Sequence, residues 1–449
     1  SATIAARHTD AEALVNEAIA EAAATGDPTA SGAAQALLGE ILIDAAKPVE
    51  AVASLESALA LFAEDGPGAV RAEMLANLSR AFMRGRRPAE AIGPADLALD
   101  LAEHLGLGRI LAETLNNKGS SLVYLGRLRE GRALLRAAVD VAREGGHVAA
   151  EIRALLNLGA TAEDARESRA ANQAAAELAM RVGNRNLTNW ASTAVQYSNY
   201  LAGEDWDQML AGLTSPVDDG QGRVEPPLDE VRRLALVAYL LAARGESTDA
   251  ILARLEVLEP QITDSYGESA VRFLRHERAL LAGDLALSAD EAVRAAEVDL
   301  SLAGIYLSRG LRPALWARDL ERARDIAERL DRDPSTAIPA TNGRITAWAG
   351  IAALEGRTDE AVDGFLDAIS RTRAVGNDVI AAMVALDMVD LLGADHPATR
   401  EPAAEARIVF ERIGAKPYLE RLDMVIARAP DRTSREVSSL PTAPSTESR

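Results

Sequence analysis

The chain has no cysteine in its 449 residues, and aromatic residues account for only 4%. Without thiols there are no disulfides, thiolate metal sites or thiol chemistry, and a reducing compartment, the cytoplasm, is the expected location. Lysine is confined to Lys47, Lys118 and Lys416, so nearly all positive charge is arginine. The longest apolar run, Leu234 to Ala243, is about half of what a bilayer requires, so no membrane span is expected. The chain does not open with the basic segment and apolar core of a secretory signal. It also begins at Ser1 without an initiator methionine, as a processed chain or a part of a larger one would.

Catalytic signatures are missing too. No Gly-x-x-x-x-Gly-Lys-Ser/Thr loop cradles phosphates, and no Gly-x-Ser-x-Gly elbow exposes a nucleophile. The histidines His8, His104, His147, His276 and His396 are scattered, without the paired spacing of metal ligands. Acidic pairs occur throughout, as on exposed helix faces, and none stands out as general acid and base. The expectation is a non-enzymatic chain with no cofactor and no metal.

What is present is an excess of acid and a repeat. Lys and Arg number 48 against 68 Asp and Glu, a formal charge of −20, and the resulting field repels phosphate and anionic lipid, so direct nucleic-acid binding is not expected. Gly39, Ser79, Gly119 and Gly159 recur every 40 residues. Twelve positions after each stands a small residue, Ala51, Ala91, Gly131 or Ala171, and seven further on stands Ala58, Ala98, Ala138 or Leu178. Leu42, Phe82 and Leu122, three after the small position, continue an apolar face at helical spacing. Small residues at such points let two antiparallel helices approach closely. Each unit is one helix-turn-helix, and because it cannot bury its apolar face alone, the units must stack along one axis into an elongated array.

Residues 31 to 180 carry this pattern most regularly and resemble tetratricopeptide repeats, whose first helix has Leu-Gly and an aromatic and whose second has Ala. The period of 40 is longer than that family's usual 34. The resemblance implies an all-α fold, a right-handed α-solenoid of about nine or ten repeats, and, by likeness to long-period variants such as those of kinesin light chains, an extended peptide or protein partner in a concave groove. Irregular later units show inter-helix turns at 201–206, 241–245, 281–284 and 354–357. The Pro- and Gly-containing stretch from Thr214 to Pro227 cannot continue a helix. The expected organisation is an array over 1–212, a loop or hinge over 213–230, a second array over 231–428 with a further interruption at 331–343, and a disordered tail over 429–449. The segment from Glu405 to Leu422 is similar to the closing block of helical-repeat regions in large actinobacterial regulators. That resemblance implies the sensor part of a signalling protein, with a class III nucleotide cyclase and an ATPase domain upstream in the same polypeptide rather than a LuxR-type DNA-binding domain, since the tail has no helix-turn-helix pattern; the alternative is a small-molecule-sensing solenoid that uses the helix from Trp190 to Tyr200.

Two candidate sites follow. Asn77, Asn117 and Asn157 stand two residues before the small position of successive units, with Asn116 beside the middle one. Amides in register can hold a partner's backbone, or they can bridge neighbouring helices. Arg80, Arg84 and Arg153 with Glu73, Glu113 and Ser120 project on nearby turns, and mixed charge there suits a peptide or protein. The second candidate is a pocket wall made by Asn189, Trp190, Thr193, Gln196 and Tyr200, four of which share a helix face. These residues can equally fill a wide core.

Overall fold

A computed structural model of the chain describes residues 2–45, 47–61, 68–162, 165–183, 185–214, 227–261, 265–299, 302–333 and 338–428. Helix is the only regular structure among them apart from two 3-10 turns. A leading helix, α1 (Ala2–Thr25), precedes ten helix pairs. The first five are α2 (Pro28–Asp44) with α3 (Pro48–Leu61), α4 (Gly68–Arg84) with α5 (Pro88–Leu105), α6 (Gly108–Tyr124) with α7 (Leu128–Glu144), α8 (Val148–Ala160) with α9 (Ala165–Arg181), and α10 (Arg185–Ala202) with α11 (Trp206–Thr214). The second five are α12 (Pro227–Arg244) with α13 (Asp249–Leu258), α14 (Ser265–Ala282) with α15 (Leu285–Val298), α16 (Ala303–Trp316) with α17 (Leu320–Arg332), α18 (Ile338–Leu354) with α19 (Thr358–Ala374), and α20 (Asp378–Leu392) with α21 (Arg400–Ile413). A last helix, α22 (Lys416–Ala427), follows. The chain is thus an all-α solenoid of ten repeats. The turns expected at 201–206, 241–245, 281–284 and 354–357 each separate two helices, whereas the interruption expected at 331–343 is shorter, since α18 resumes at Ile338 with Pro339 in its first turn. Most of the expected loop, 215–226, and the tail from 429 lie outside the described residues.

Local chemistry explains the pairs. The Asp27 carboxylate accepts from the amides of Thr29 (2.9 Å) and Ala30 (3.0 Å), capping α2 ahead of Pro28. Between α6 and α7 the Arg127 amide donates to the Leu122 carbonyl and the Gly126 amide to Val123, the double closure that ends a helix through a left-handed residue, here Gly126 at φ 79°. One unit earlier Arg86 takes that same conformation, φ 64°, without glycine's freedom. At the helix crossings the small residues are required by space. A Cβ on Gly131 would stand 2.5 Å from the Gly119 carbonyl oxygen, and one on Gly39 would stand 2.5 Å from Leu55 Cγ. Lys118, where a leucine is usual, turns its amine outward to Asp96 at 2.5 Å.

The first helices of successive pairs also pack on each other, α2 on α4, α4 on α6, α6 on α8 and α8 on α10. They therefore form the inner, concave layer, and the second helices form the outer one. The array does not run straight: it curls until its end meets its middle. Helix α20 packs on α10 and α16, and α22 packs on α12. One apolar core accordingly joins Tyr200, Trp206, Leu236 and Leu240 to Phe365, Met383, Phe410 and Tyr418. Along the seam the Ala165 amide donates to the Val375 carbonyl at 2.8 Å, Arg412 to the Ala202 carbonyl at 3.0 Å, Arg244 to the Ile413 carbonyl at 3.1 Å, and Arg86 to the Glu297 carbonyl at 3.2 Å. The extended body expected from stacking along one axis is replaced by a coil whose later turn rests on its earlier one.

Candidate functional site on the inner face

Helix α6 sits between α4 and α8, and its residues Glu113, Asn116 with Asn117, Ser120 and Tyr124 recur once per helical turn along the concave side. The amides there run from helix to helix. Asn77 Nδ2 donates to Glu40 Oε1 (2.8 Å) on α2, Asn117 Nδ2 to the Ala76 carbonyl (3.2 Å) on α4, and Asn157 Nδ2 to Asn116 Oδ1 (2.9 Å) on α6. Helices α4, α6 and α8 are each tied in this way to the inner helix before it. The ties do not exhaust the polar atoms: Ser120 Oγ, on a residue only 5% exposed, is buried without a partner.

Charge is gathered over the same helix. Arg80 contacts Asp44 at 3.2 Å, Arg153 contacts Glu113 at 2.5 Å, and Arg109 bridges Glu73 and Glu113. Burial, followed by the like charge of Arg153, pushes the Arg80 guanidinium down to about 10, with Arg84 adding to the effect and Asp44 and Glu113 opposing it. On α2, burial and the neighbouring Glu73 push the Glu40 carboxyl up. Tyr124 ends the α6 stripe, and burial of its phenol followed by the Asp299 charge pushes that group up. Asp299, just beyond α15, therefore faces Tyr124 across the hollow of the coil. Glu40, Asp44, Arg109 and Tyr124 were not singled out from sequence, though Glu40, Arg80 and Ser120 share the 40-residue spacing that would have flagged the first of them.

The second candidate set divides. Tyr200 is buried in the core, stacked on Trp206 with ring centroids 5.1 Å apart. Trp190 lies under the Arg232 guanidinium, 5.6 Å from the ring centroid, and the Thr193 hydroxyl donates to the Asn189 carbonyl at 2.9 Å. Asn189 Nδ2 and Gln196 Oε1 are shut off from water without a partner. Next to Tyr200 lies a polar centre that sequence inspection missed, because its members are far apart in sequence, Arg312 and Asp387 by 75 residues. Arg312 holds Asp387 with bonds of 2.8 and 3.0 Å, Trp316 Nε1 donates to the same carboxylate at 2.9 Å, and Arg421 lies 3.6 Å over the Trp316 ring. His276 Nδ1 meets the Ser288 carbonyl at 2.9 Å, and burial pushes the imidazole down toward its neutral form. Arg312, Trp316 and Asp387 satisfy one another and hold α16 against α20, while His276 Nε2 and Arg421 Nε are buried without a partner.

Among the described residues no three His, Asp or Glu side chains converge as a metal would need, and no helix is long and apolar enough to cross a membrane. No family model and no curated protein matches the chain. Among solved structures it is similar to a circular tandem repeat protein with novel repeat topology and enhanced subunit contact surfaces, at 16% identity over 98% of this chain and 100% of that one, with a TM-score of 0.14. It is also similar to a structure of Naa15/Naa10 bound to HypK-THB, at 11% identity over 95% of this chain and 96% of that one, with a TM-score of 0.16. Likenesses at such scores carry no argument, and the reading of this chain rests on its own helices.

Proposed function

We propose that the chain is a non-catalytic scaffold of tetratricopeptide type that holds an extended segment of a partner protein along its concave face. The observation that carries this reading is the set of buried polar atoms without a partner on inner helices, Ser120 Oγ on α6 and Asn189 Nδ2 and Gln196 Oε1 on α10. A buried polar group without a partner costs about 1 to 3 kcal/mol, and the alternating donors and acceptors of a bound backbone would relieve it. The mixed charge around α6 suits such a partner better than a polyanion does. The resemblance of the segment from Glu405 to Leu422 to the closing block of actinobacterial regulators favours a regulatory part in a larger signalling protein.

The test is to pan phage-displayed random peptides on the chain and to titrate the enriched sequences by calorimetry. Ser120→Trp, which fills the floor of the inner face, is expected to abolish binding. Leu97→Trp, on the outer helix α5 where Leu97 is 57% exposed, is expected to leave it intact. Peptides that bind both variants alike would remove the inner face from consideration.

A further inference from the structure

We propose that His276 is an acid-sensitive catch for the last helix, α22. While its imidazole is neutral, Glu277 stays turned to Tyr418 and α22 covers the polar centre. A proton taken up at Nε2 draws Glu277 away and releases α22. The inference concerns the cover of that centre and stands apart from the reading of the concave face.

The catch is made of contacts whose direction is fixed. His276 Nδ1 lies 2.9 Å from the Ser288 carbonyl, which can only accept, so Nδ1 carries the hydrogen and Nε2 holds a bare lone pair. That lone pair is sealed in: the residue is 0% exposed, and Nε2 has no partner among the described residues. It faces Glu277 Oε1 at 3.9 Å, beyond hydrogen-bond distance, and a lone pair and a carboxylate repel. The other oxygen, Glu277 Oε2, accepts from the Tyr418 hydroxyl on α22 at 3.3 Å, a long bond for a carboxylate. Burial pushes the Tyr418 phenol well up, so it remains a donor. A proton on Nε2 turns the repelled pair into an attracted one. Closing that gap to a charge-assisted bond takes a shift of about 1 Å, which draws Oε2 off a hydroxyl it already holds loosely.

The groups that face the imidazole are Glu277 on α14 itself, the Ser288 carbonyl on α15, and Arg309 and Arg312 on α16, with Phe273 stacked on the ring. Burial is the largest influence and pushes the imidazole down. Glu277 and the Ser288 carbonyl oppose it, and the two guanidiniums add to it. Helix α22 is the cover over this centre: Tyr418 reaches Glu277, while Arg421 lies over Trp316 and contacts Asp390 at 3.2 Å. The helix itself buries little beyond Tyr418, Leu422 and Val425, and elements with few buried contacts are the first to open locally. With α22 lifted, water reaches the imidazole, whose value returns toward the ordinary one of about 6.5. A base whose value is lower under the cover than without it favours the covered state above about 6.5 and loses that advantage as the pH falls.

Hydrogen–deuterium exchange of the full chain at pH 7.5 and 5.5, with labelling times scaled to the intrinsic rate, tests the catch. Protection within Lys416–Ala427 is expected to fall by up to about tenfold between the two pH values, while peptides from α4 to α7 keep theirs. Asp387 on α20 is also pushed up by burial, and His276→Gln separates its titration from that of the imidazole. This variant cannot take up the proton and is expected to remove the fall. Tyr418→Phe is expected to lower the protection of α22 at pH 7.5 and to shrink the pH dependence, because Glu277 is then free to serve the imidazolium while α22 stays in place. A hydroxyl with a merely structural role would lower protection equally at both pH values. A fall of less than about twofold in the parent, a fall that persists in His276→Gln, or an equal loss along the whole chain overturns the catch. Should His276→Gln fail to fold, an undiminished pH dependence in Tyr418→Phe overturns it.

Discussion

Asn117 shows how much a single residue's chemistry depends on the neighbour that the fold supplies. Its position in a 40-residue register was plain in the sequence, together with the choice between holding a partner and bridging helices. The choice turned on where the preceding inner helix lay, and no spacing reveals that. With the Ala76 carbonyl 3.2 Å away and the residue buried, Asn117→Ala removes an inter-helix hydrogen bond from inside the packing and should destabilise the chain by about 1 to 1.5 kcal/mol. Asn77 differs because its partner, Glu40, is a carboxylate that a water molecule can serve once the amide is gone. Asn77→Ala should therefore cost no more than about 0.5 kcal/mol, as surface exchanges do. Urea denaturation of the two variants separates the cases, and equal losses would mean that the rungs of the ladder are equivalent. Ser120 was legible as a polar residue near the groove, but its lack of a partner was not, since an unpaired atom is visible only against everything that surrounds it.

At the scale of the element, the helix pair was legible almost completely, and for a steric reason. Two helices that cross at Gly119 and Gly131 leave no room for a side chain, so the sequence must show small residues there at a fixed interval. Gly131→Ala places a methyl group 2.5 Å from the Gly119 carbonyl oxygen and 2.7 Å from Val123 Cγ2. Backbone cannot rotate aside as a side chain can, so α6 and α7 must separate along their whole crossing. The expected loss is about 3 kcal/mol, the upper range for overpacking, with a fall in the thermal midpoint measured by circular dichroism. Ala51→Gly, in an equivalent crossing, should cost only about 1 kcal/mol through helix propensity. If Gly131→Ala proved as mild, the crossing would not be as close as described. The later units were less legible because larger residues replace the small ones and distant helices complete the packing. Trp316, Arg312 and Asp387 satisfy one another across two inner helices rather than within one repeat.

The closure of the coil is the property of the whole molecule that no local pattern encodes. Repeats specify the rotation from one unit to the next only through many small side-chain choices, and those rotations add up over ten units. A difference of a few degrees per repeat decides whether the end clears the middle or meets it. Here it meets it. A Cβ on Gly376 would stand 3.3 Å from the Cβ of Ala165, nearly half the chain away in sequence. That separation is close to what a disulfide spans between its two Cβ atoms, and the chain has no other cysteine to compete. The double variant Ala165→Cys with Gly376→Cys should therefore cross-link nearly completely under mild oxidation, migrate faster than its reduced form on a denaturing gel, and do so at protein concentrations low enough to exclude links between molecules. Gly376 has φ 77°, so the cysteine there carries a strain of order 1 kcal/mol that slows the reaction without preventing it. A coil that stays open in solution would give free thiols at both positions, however long the oxidation ran. That result would also detach the hollow between Tyr124 and Asp299 from the description of the inner face, because those two residues face each other only when the later turn rests on the earlier one.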